Sequence, residues 1–291
     1  MLKFVIENSF LKITSKNNNL VKRFRSFKSG SSRKNRDFFC IEGTHLIEEL
    51  LKSGNAPSKI LVTDKWLIKN QNLSKKFNKS LITIVSEEVL ASAISTINPD
   101  GIAALVEISS IPNYQFNIKD DFVLVLDRIQ DPGNMGNLFR TALAAGVDSI
   151  FLAGGAYPLS QKVLRASCGA VFHLPFLRIE GTEEEIINSL LESLSKLSNV
   201  GFEIFSTSSQ NNKSSKKSPK PYWEIDWTKR TALILGNEGQ GIHEKIQEAF
   251  NETISIPHSE LVESLNVACV SVPLLLERKR VAYTSKYIDK K

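Results

Sequence analysis

The chain of 291 residues holds only three cysteines, four histidines and two methionines. Cys40, Cys168 and Cys269 are odd in number, lie far apart and form no CxxC pair. A disulfide framework and a zinc ribbon are therefore excluded, and a reducing compartment fits. His45, His173, His243 and His258 make no HExxH or HxxxH pairing, so the sequence offers no set of metal ligands. No apolar run approaches the roughly 18–20 residues that a membrane helix needs. The opening MLKFVIENSFLKI is broken by Glu7, Asn8 and Ser9 and is too short for a signal peptide. GxGxxG, the P-loop and GxSxG are missing, which removes the usual marks of dinucleotide, nucleotide-triphosphate and α/β-hydrolase sites. The expectation is a cytoplasmic protein with no metal and no membrane span.

Acid is missing from one stretch in particular. Lys+Arg number 37 against Asp+Glu 31, a net charge of +6. Between Leu11 and Arg36 there is no Asp or Glu, while Lys12, Lys16, Lys22, Arg23, Arg25 and Arg33 stand among further basic residues, with Phe24 and Phe27 interleaved. Such a stretch lowers its free energy by neutralising phosphates and releasing counterions, so these six residues are candidate nucleic-acid contacts. The competing reading is the solvated face of a helix followed by a flexible loop, SGSSRKNR. A second cluster, Lys213, Lys216, Lys217 and Lys220, reads as a polar surface insertion.

The composition is that of a globular protein, 42% hydrophobic and 23% charged, and the length suits about two domains. Residues 1–108 read as a small α/β domain. It has helices over 20–27, 44–52 (capped by Thr44) and 87–93, and strands near 38–41, 59–62, 82–85 and 102–108. Residues 109–120 are polar, without period, and form a linker. From 121 to 291 strand and helix alternate. Strands are predicted at 122–126, 149–153, 171–174, 202–206, 231–235 and 253–256. Helices are predicted at 136–145, 161–167, 183–197, 243–250 and 265–283. Continuous apolar strands separated by helices predict a parallel sheet covered on both faces. Ligands of such sheets bind beyond the carboxyl ends of the strands.

Three segments lie at those ends. DRIQDPGNMGNLFRTALAAG (127–146) carries Asn134, a candidate N-cap, and Arg140, read as a cation in the first turns of a helix, where the macrodipole disfavours it. That placement suggests an anionic partner, and a surface pairing with Asp127 or Asp131 is the alternative. ILGNEGQGI (234–242) carries Gly236, Gly239 and Gly241, where backbone allows close approach of a ligand. Glu238 within it argues against a phosphate cradle. IPHSELVESLNVA (256–268) offers Ser264 or Asn266 as the cap of a last helix that Pro273 should kink or end.

In this order and at these strand ends, the segments resemble the SpoU (TrmH) family of RNA ribose 2′-O-methyltransferases over roughly residues 122–277, with AGGAYPLSQKVLRASCGAVFHLP between them also similar. The first third, around ITSKNNNLVKRFRSFKSGSSRKNRDFFCIEGTHLIEELL, is similar to the substrate-binding domain that some members carry in front. The resemblance implies an α/β, SPOUT-like fold: a parallel sheet with helices on both faces and a C-terminal trefoil knot, preceded by a small ribosomal-protein-like α/β domain. It implies a homodimer with S-adenosyl-L-methionine held largely by backbone at Gly236, Ile256 and Leu265. It implies catalytic roles for Asn134, Arg140, Glu238, Ser264 and Asn266.

Two departures stand out: Glu260 where members carry glycine, and Pro273 inside the last helix. The function implied is methylation of a ribose 2′-hydroxyl in structured RNA, with rRNA favoured by the extra N-terminal domain. A tRNA methyltransferase and a non-catalytic RNA-binding or ribosome-assembly factor are the alternatives. A nucleotide-dependent oxidoreductase is disfavoured by the missing GxGxxG. An arginine stays protonated in proteins, so Arg140 is read as a clamp on phosphate and developing alkoxide. Asn134 and Asn266 then position the ribose or Arg140, and Ser264 and Glu238 organise the site.

Overall fold

A computed structural model describes residues 10–28, 37–115, 117, 119–208 and 218–288. Arg33 and the Lys213, Lys216 and Lys217 cluster lie outside the described residues. Two compact units form, one from residues 1–111 with 159–172, the other from 112–158 with 173–291.

The first unit is built on a mixed sheet of β1 (Leu11–Ile13), β2 (Phe38–Glu42), β3 (Lys59–Val62), β4 (Ile82–Val85) and β5 (Ile102–Glu107), in the order β1-β4-β3-β5-β2. Its helices are α1 (Asn19–Ser26), α2 (Thr44–Lys52), α3 (Asp64–Lys69), α4 (Gln71–Ser74) and α5 (Glu87–Ala93). Val21 and Phe24 of α1 are fully buried against Leu61, Val89 and Leu105. The basic residues thus ride on the outer side of an amphipathic helix. Thr44 does not cap α2. Gly43 takes φ +98° there, and the Thr44 amide is satisfied from outside by Asp100 at 2.7 Å. Helix α7 (Gln161–Ser167) belongs to this unit and is tied to β2: Gln161 donates to the Cys40 carbonyl at 2.6 Å, and Arg165 lies 3.5 Å from Glu42. Glu42 is buried but satisfied, accepting from the backbone and hydroxyls of Ser95 and Thr96.

The second unit is a seven-stranded sheet, parallel throughout: β6 (Phe122–Asp127), β7 (Ser149–Ala153), β8 (Phe176–Ile179), β9 (Glu203–Thr207), β10 (Lys220–Pro221), β11 (Thr231–Leu235) and β12 (Thr253–Ser255). The order is β10-β12-β9-β11-β6-β7-β8. Strands β6, β7 and β11 are buried at every position, because helices cover both faces and leave no side for water. On one face α8 (Glu183–Asn199) packs Ile187, Leu190 and Leu194 on Val123, Val125 and Ile234, with α9 (Glu244–Ala249) alongside it. Truncating one of these fully buried leucines to alanine should cost about 2–5 kcal/mol. Elsewhere α6 (Pro132–Ala145) packs against α10 (Val267–Ile288). The chain runs outward from β6 through β7 to β8, then crosses to β9 on the other side of β6, and β11 later fills the place between β9 and β6, so the order reverses between β6 and β11. Such a switch point opens a crevice at the carboxyl ends.

One predicted strand is missing, and the structure places the two sequence departures. Residues 171–174 form no strand. Cys168 (φ +50°) and Gly169 (φ +85°) close α7 and turn the chain into a short 3-10 segment over Ala170–Phe172, and pairing with β7 begins only at Phe176. A short apolar run does not by itself separate a strand from a buried turn. Pro273 does not end α10, which continues to Ile288. The carbonyl left without its donor is that of Cys269, on an exposed position open to water. Glu260 sits in an exposed turn closed by Val262 N–H to Ser259 carbonyl at 3.1 Å, with no positive φ to strain a Cβ.

Candidate active site

The first segment follows β6 and stands beside the cavity described below. The helix starts earlier than the periodicity suggests, at Pro132, whose fixed φ and missing N–H suit a first helical position. Asp131, not Asn134, is the N-cap, and its carboxylate accepts from Asn134 N–H at 2.7 Å. This frees the Asn134 side chain for other partners. Arg140 consequently lies in the third turn, exposed, where the macrodipole argument no longer applies.

The second wall is the segment after β11. Asn237 and Gly241 exchange backbone hydrogen bonds at 3.1 and 3.0 Å, making a small hairpin. At Gly236 a Cβ would stand 2.4 Å from the Ile242 amide nitrogen, so only glycine lets the hairpin close. Glu238 points from it to the first segment. Its carboxylate accepts from the backbone of Gln130 and Asp131, both at 3.3 Å, and from Asn134 Nδ2 at 3.0 Å. Partial desolvation pushes its pKa up. The hydrogen bonds from Asn134 and the backbone outweigh that and leave it below the ordinary glutamate value.

The third wall is the segment after β12. Asn266 caps α10, its Oδ1 accepting from Ala268 and Cys269 N–H at 2.9 and 3.3 Å. Its Nδ2 donates to Asn134 Oδ1 at 3.1 Å. One hydrogen-bonded chain therefore runs Glu238–Asn134–Asn266 and joins all three segments. Gly236, Glu238, Ile256, Ser264, Leu265 and Asn266 line a cavity of about 400 Å³. Asn134 and Arg140 are not among its lining residues.

The lining has a definite chemistry. Leu235, Ile254, Val270 and Leu274 supply apolar walls, Glu238 and Glu263 supply carboxylates, and the described lining contains no lysine or arginine. A phosphate-bearing cofactor would find no lysine or arginine there. A nucleoside carrying a positive charge would find both apolar surface and carboxylates. The sequence reading took Asp127 only as a possible surface partner of Arg140; it is instead fully buried at the end of β6, accepts from His243 N–H at 2.8 Å and pairs with Arg128 at 2.9 Å. The only local signal was an acid ending an apolar strand. No group of three or more metal-ligating side chains occurs among the described residues. No helix among them is long and apolar enough to cross a membrane.

In the first unit the candidate RNA contacts divide into classes. Lys22 is exposed, and Arg23 is exposed with its guanidinium 4.3 Å from the ring centre of Phe38. Lys12 pairs with Asp64 at 3.2 Å, and Lys16 pairs with Glu88. Arg25 is half-buried and donates to the Ser92 carbonyl and hydroxyl at 3.0 Å and to the Lys16 carbonyl at 2.9 Å. It is a brace between α1 and α5, a role that charge counting does not reveal.

Residues 121–276 match the SpoU rRNA Methylase family, and residues 18–104 match the MRM3-like substrate binding domain. The chain is 34% identical to an uncharacterized tRNA/rRNA methyltransferase of Synechocystis, covering 95% of this chain and 96% of that one. It is 32% identical to the 23S rRNA (guanosine(2553)-2′-O)-methyltransferase RlmP of Bacillus subtilis, over 90% of this chain and 97% of that one. The AdoMet-bound rRNA methyltransferase from Sinorhizobium meliloti superimposes with a TM-score of 0.77 at 26% identity, covering 94% of this chain and 99% of the other.

Proposed function

Given that the chain belongs to the SpoU rRNA methylase family, we propose that it is an S-adenosyl-L-methionine-dependent RNA ribose 2′-O-methyltransferase acting on rRNA. The observation that carries this reading is the Glu238–Asn134–Asn266 chain, which ties three separated segments together beside one cavity. Gly236, Ile256 and Leu265 hold the cofactor along that cavity. The cofactor supplies an electrophilic methyl group on a sulfonium centre.

The protein's own task is alignment, which can lower a barrier by about 7–11 kcal/mol. Asn134 and Asn266 form a rigid amide pair that orients the ribose. Glu238 stays ionised and fixes the first segment through the Gln130 and Asp131 amides. Ser264 shapes the cavity wall next to Leu265. Arg140 clamps the RNA phosphate and the alkoxide that develops as the 2′-hydroxyl loses its proton.

The rRNA substrate is supported by the B. subtilis relative and by the substrate-binding match in the first unit, whose basic helix α1 presents Lys22 and Arg23. Lys12 and Lys16 add charge there by exchanging exposed carboxylates for phosphates. A homodimer is supported by apolar side chains left at the surface of the third segment and α10: Leu261 is 96% exposed, and Val262, Leu265, Val272 and Leu276 are exposed too. Threading of the 256–266 segment as a trefoil knot, the division into a substrate-binding domain (1–108), linker (109–120) and catalytic domain (121–291), and a cytoplasmic location belong to the same reading.

The test is transfer of tritiated methyl from S-adenosyl-L-methionine to rRNA, with mass-spectrometric mapping of the product. A 2′-O-methylated rRNA nucleotide is expected. Methylation confined to tRNA, or cofactor binding without transfer to any RNA, would overturn it.

A further inference from the structure

Arg128 is one of two described non-glycine residues with a positive φ, at +55°. A residue with a Cβ meets steric resistance there, so its surroundings must hold it in place. In an extended strand neighbouring side chains point to opposite faces. The left-handed turn at Arg128 instead folds its side chain back onto its neighbour. Nε and Nη2 donate to the two carboxylate oxygens of buried Asp127, at 2.9 and 3.1 Å. Nη1 donates to Glu183, the first residue of α8, at 2.7 Å, and to Gln240 Oε1 at 3.2 Å. The Arg128 carbonyl accepts from Asn237 Nδ2 at 2.8 Å.

These bonds converge on one object. The hairpin walling the cavity is held near its start through Asn237, at its tip through Gln240 and just past its end through the His243 amide on Asp127. All three of these anchors are on the Asp127–Arg128 pair, and Glu238 adds a separate one to Gln130, Asp131 and Asn134. Asn237 and Gln240 line the cavity, and Arg128 is not among the lining residues.

We propose that Arg128 is a positioning residue for cofactor binding: it sets the hairpin from Gly236 to Ile242 in its binding shape without touching the cofactor. The proposal rests on reading the cavity as the S-adenosyl-L-methionine site. A half-supported wall leaves a site too loose by fractions of an ångström, and outer-shell groups of this kind commonly govern affinity.

The test uses the full chain with Arg128→Gly, Arg128→Lys and Gln240→Ala. Glycine accepts the left-handed turn, so Arg128→Gly keeps the carbonyl bond to Asn237 and removes only the guanidinium. Calorimetry with S-adenosyl-L-methionine should show about tenfold weaker binding for Arg128→Gly, the equivalent of one lost charge-assisted hydrogen bond. Arg128→Lys should recover part of the loss. Gln240→Ala should weaken binding several-fold with an unchanged melting temperature.

Cofactor affinity of Arg128→Gly within twofold of the unmodified chain would overturn the proposal. So would weaker binding that appears only together with a lowered melting temperature while Gln240→Ala binds normally. If Arg128→Gly does not fold, Gln240→Ala decides: weaker binding supports the proposal and unchanged binding overturns it. No cofactor binding by the unmodified chain would overturn the proposed function and this inference with it, whereas normal binding by the unmodified chain and all variants overturns this inference alone.

Discussion

Asn266 Nδ2 donates to Asn134 Oδ1 at 3.1 Å, across 132 residues of chain. The direction of that bond is dictated by its neighbours. Glu238 can only accept, so Asn134 must offer it the NH2 group and keeps its oxygen for Asn266. Asn266 must then present its own NH2, which leaves its oxygen to cap α10. Both amides are therefore oriented by charge and helix geometry within the chain itself, which is the preorganisation that the proposed positioning of the ribose calls for.

Reversing one donor should break this order. In Asn134→Asp a carboxylate faces Glu238 where an NH2 stood, and two like charges share the site. We expect a loss of roughly 100-fold or more in methyl transfer, the scale of one removed preorganised donor. Tritiated-methyl incorporation measures it, and activity within about tenfold of the unmodified enzyme would refute the positioning role.

Arg140→Ala should abolish methyl transfer and leave S-adenosyl-L-methionine binding little changed. The basis is placement: Arg140 is exposed on the third turn of α6 and outside the residues lining the cavity. Calorimetry and methyl incorporation on the same preparation separate the two. Lost cofactor binding, or near-normal turnover, sinks the assignment.

The acid limb of stability should contain Glu238. Desolvation raises its pKa, but hydrogen bonds from Asn134 and backbone amides lower it further, to below the ordinary value of 4.5. A carboxylate with a depressed folded-state pKa favours folding. That contribution is complete above the unfolded-state value and is lost as pH falls through the lower folded-state value. Glu238→Gln should therefore lower the urea midpoint near neutral pH, with the difference shrinking toward pH 3. A difference that stays constant across this range would contradict the ionised role.

Much of this was legible in the sequence. β6, β7 and β11 were readable because strands buried on both faces are continuous apolar runs, and α8 because its period and cap are regular. The order of the three segments at strand ends was readable, and the structure joins Asn134, Glu238 and Asn266 from them. Partners set by tertiary contact were not: Asp131 displaced Asn134 as the cap of α6, and Asp100 replaced a local cap at Thr44. Nor was the placement of Arg128, because nothing local marks an arginine for a left-handed turn; Asp127, Glu183 and Gln240 together hold it there.

Salt dependence separates RNA contacts from braces in the basic stretch. If Lys22 and Arg23 each neutralise a phosphate, log affinity for rRNA falls with log salt by about 0.7–0.9 per contact. The double variant Lys22→Gln/Arg23→Gln should then make the slope shallower by about one and a half units, with cofactor affinity unchanged. Arg25→Gln should behave differently. Its guanidinium holds Ser92 and the Lys16 carbonyl, so its loss should cost about 1–3 kcal/mol of stability in the first unit. It should leave the salt slope of the folded protein nearly intact. Filter binding between 50 and about 300 mM salt, beside thermal melting, reads both effects. A slope that moves with Arg25 and not with Lys22 and Arg23 would mean that the braced side of α1, and not its exposed side, meets the phosphates.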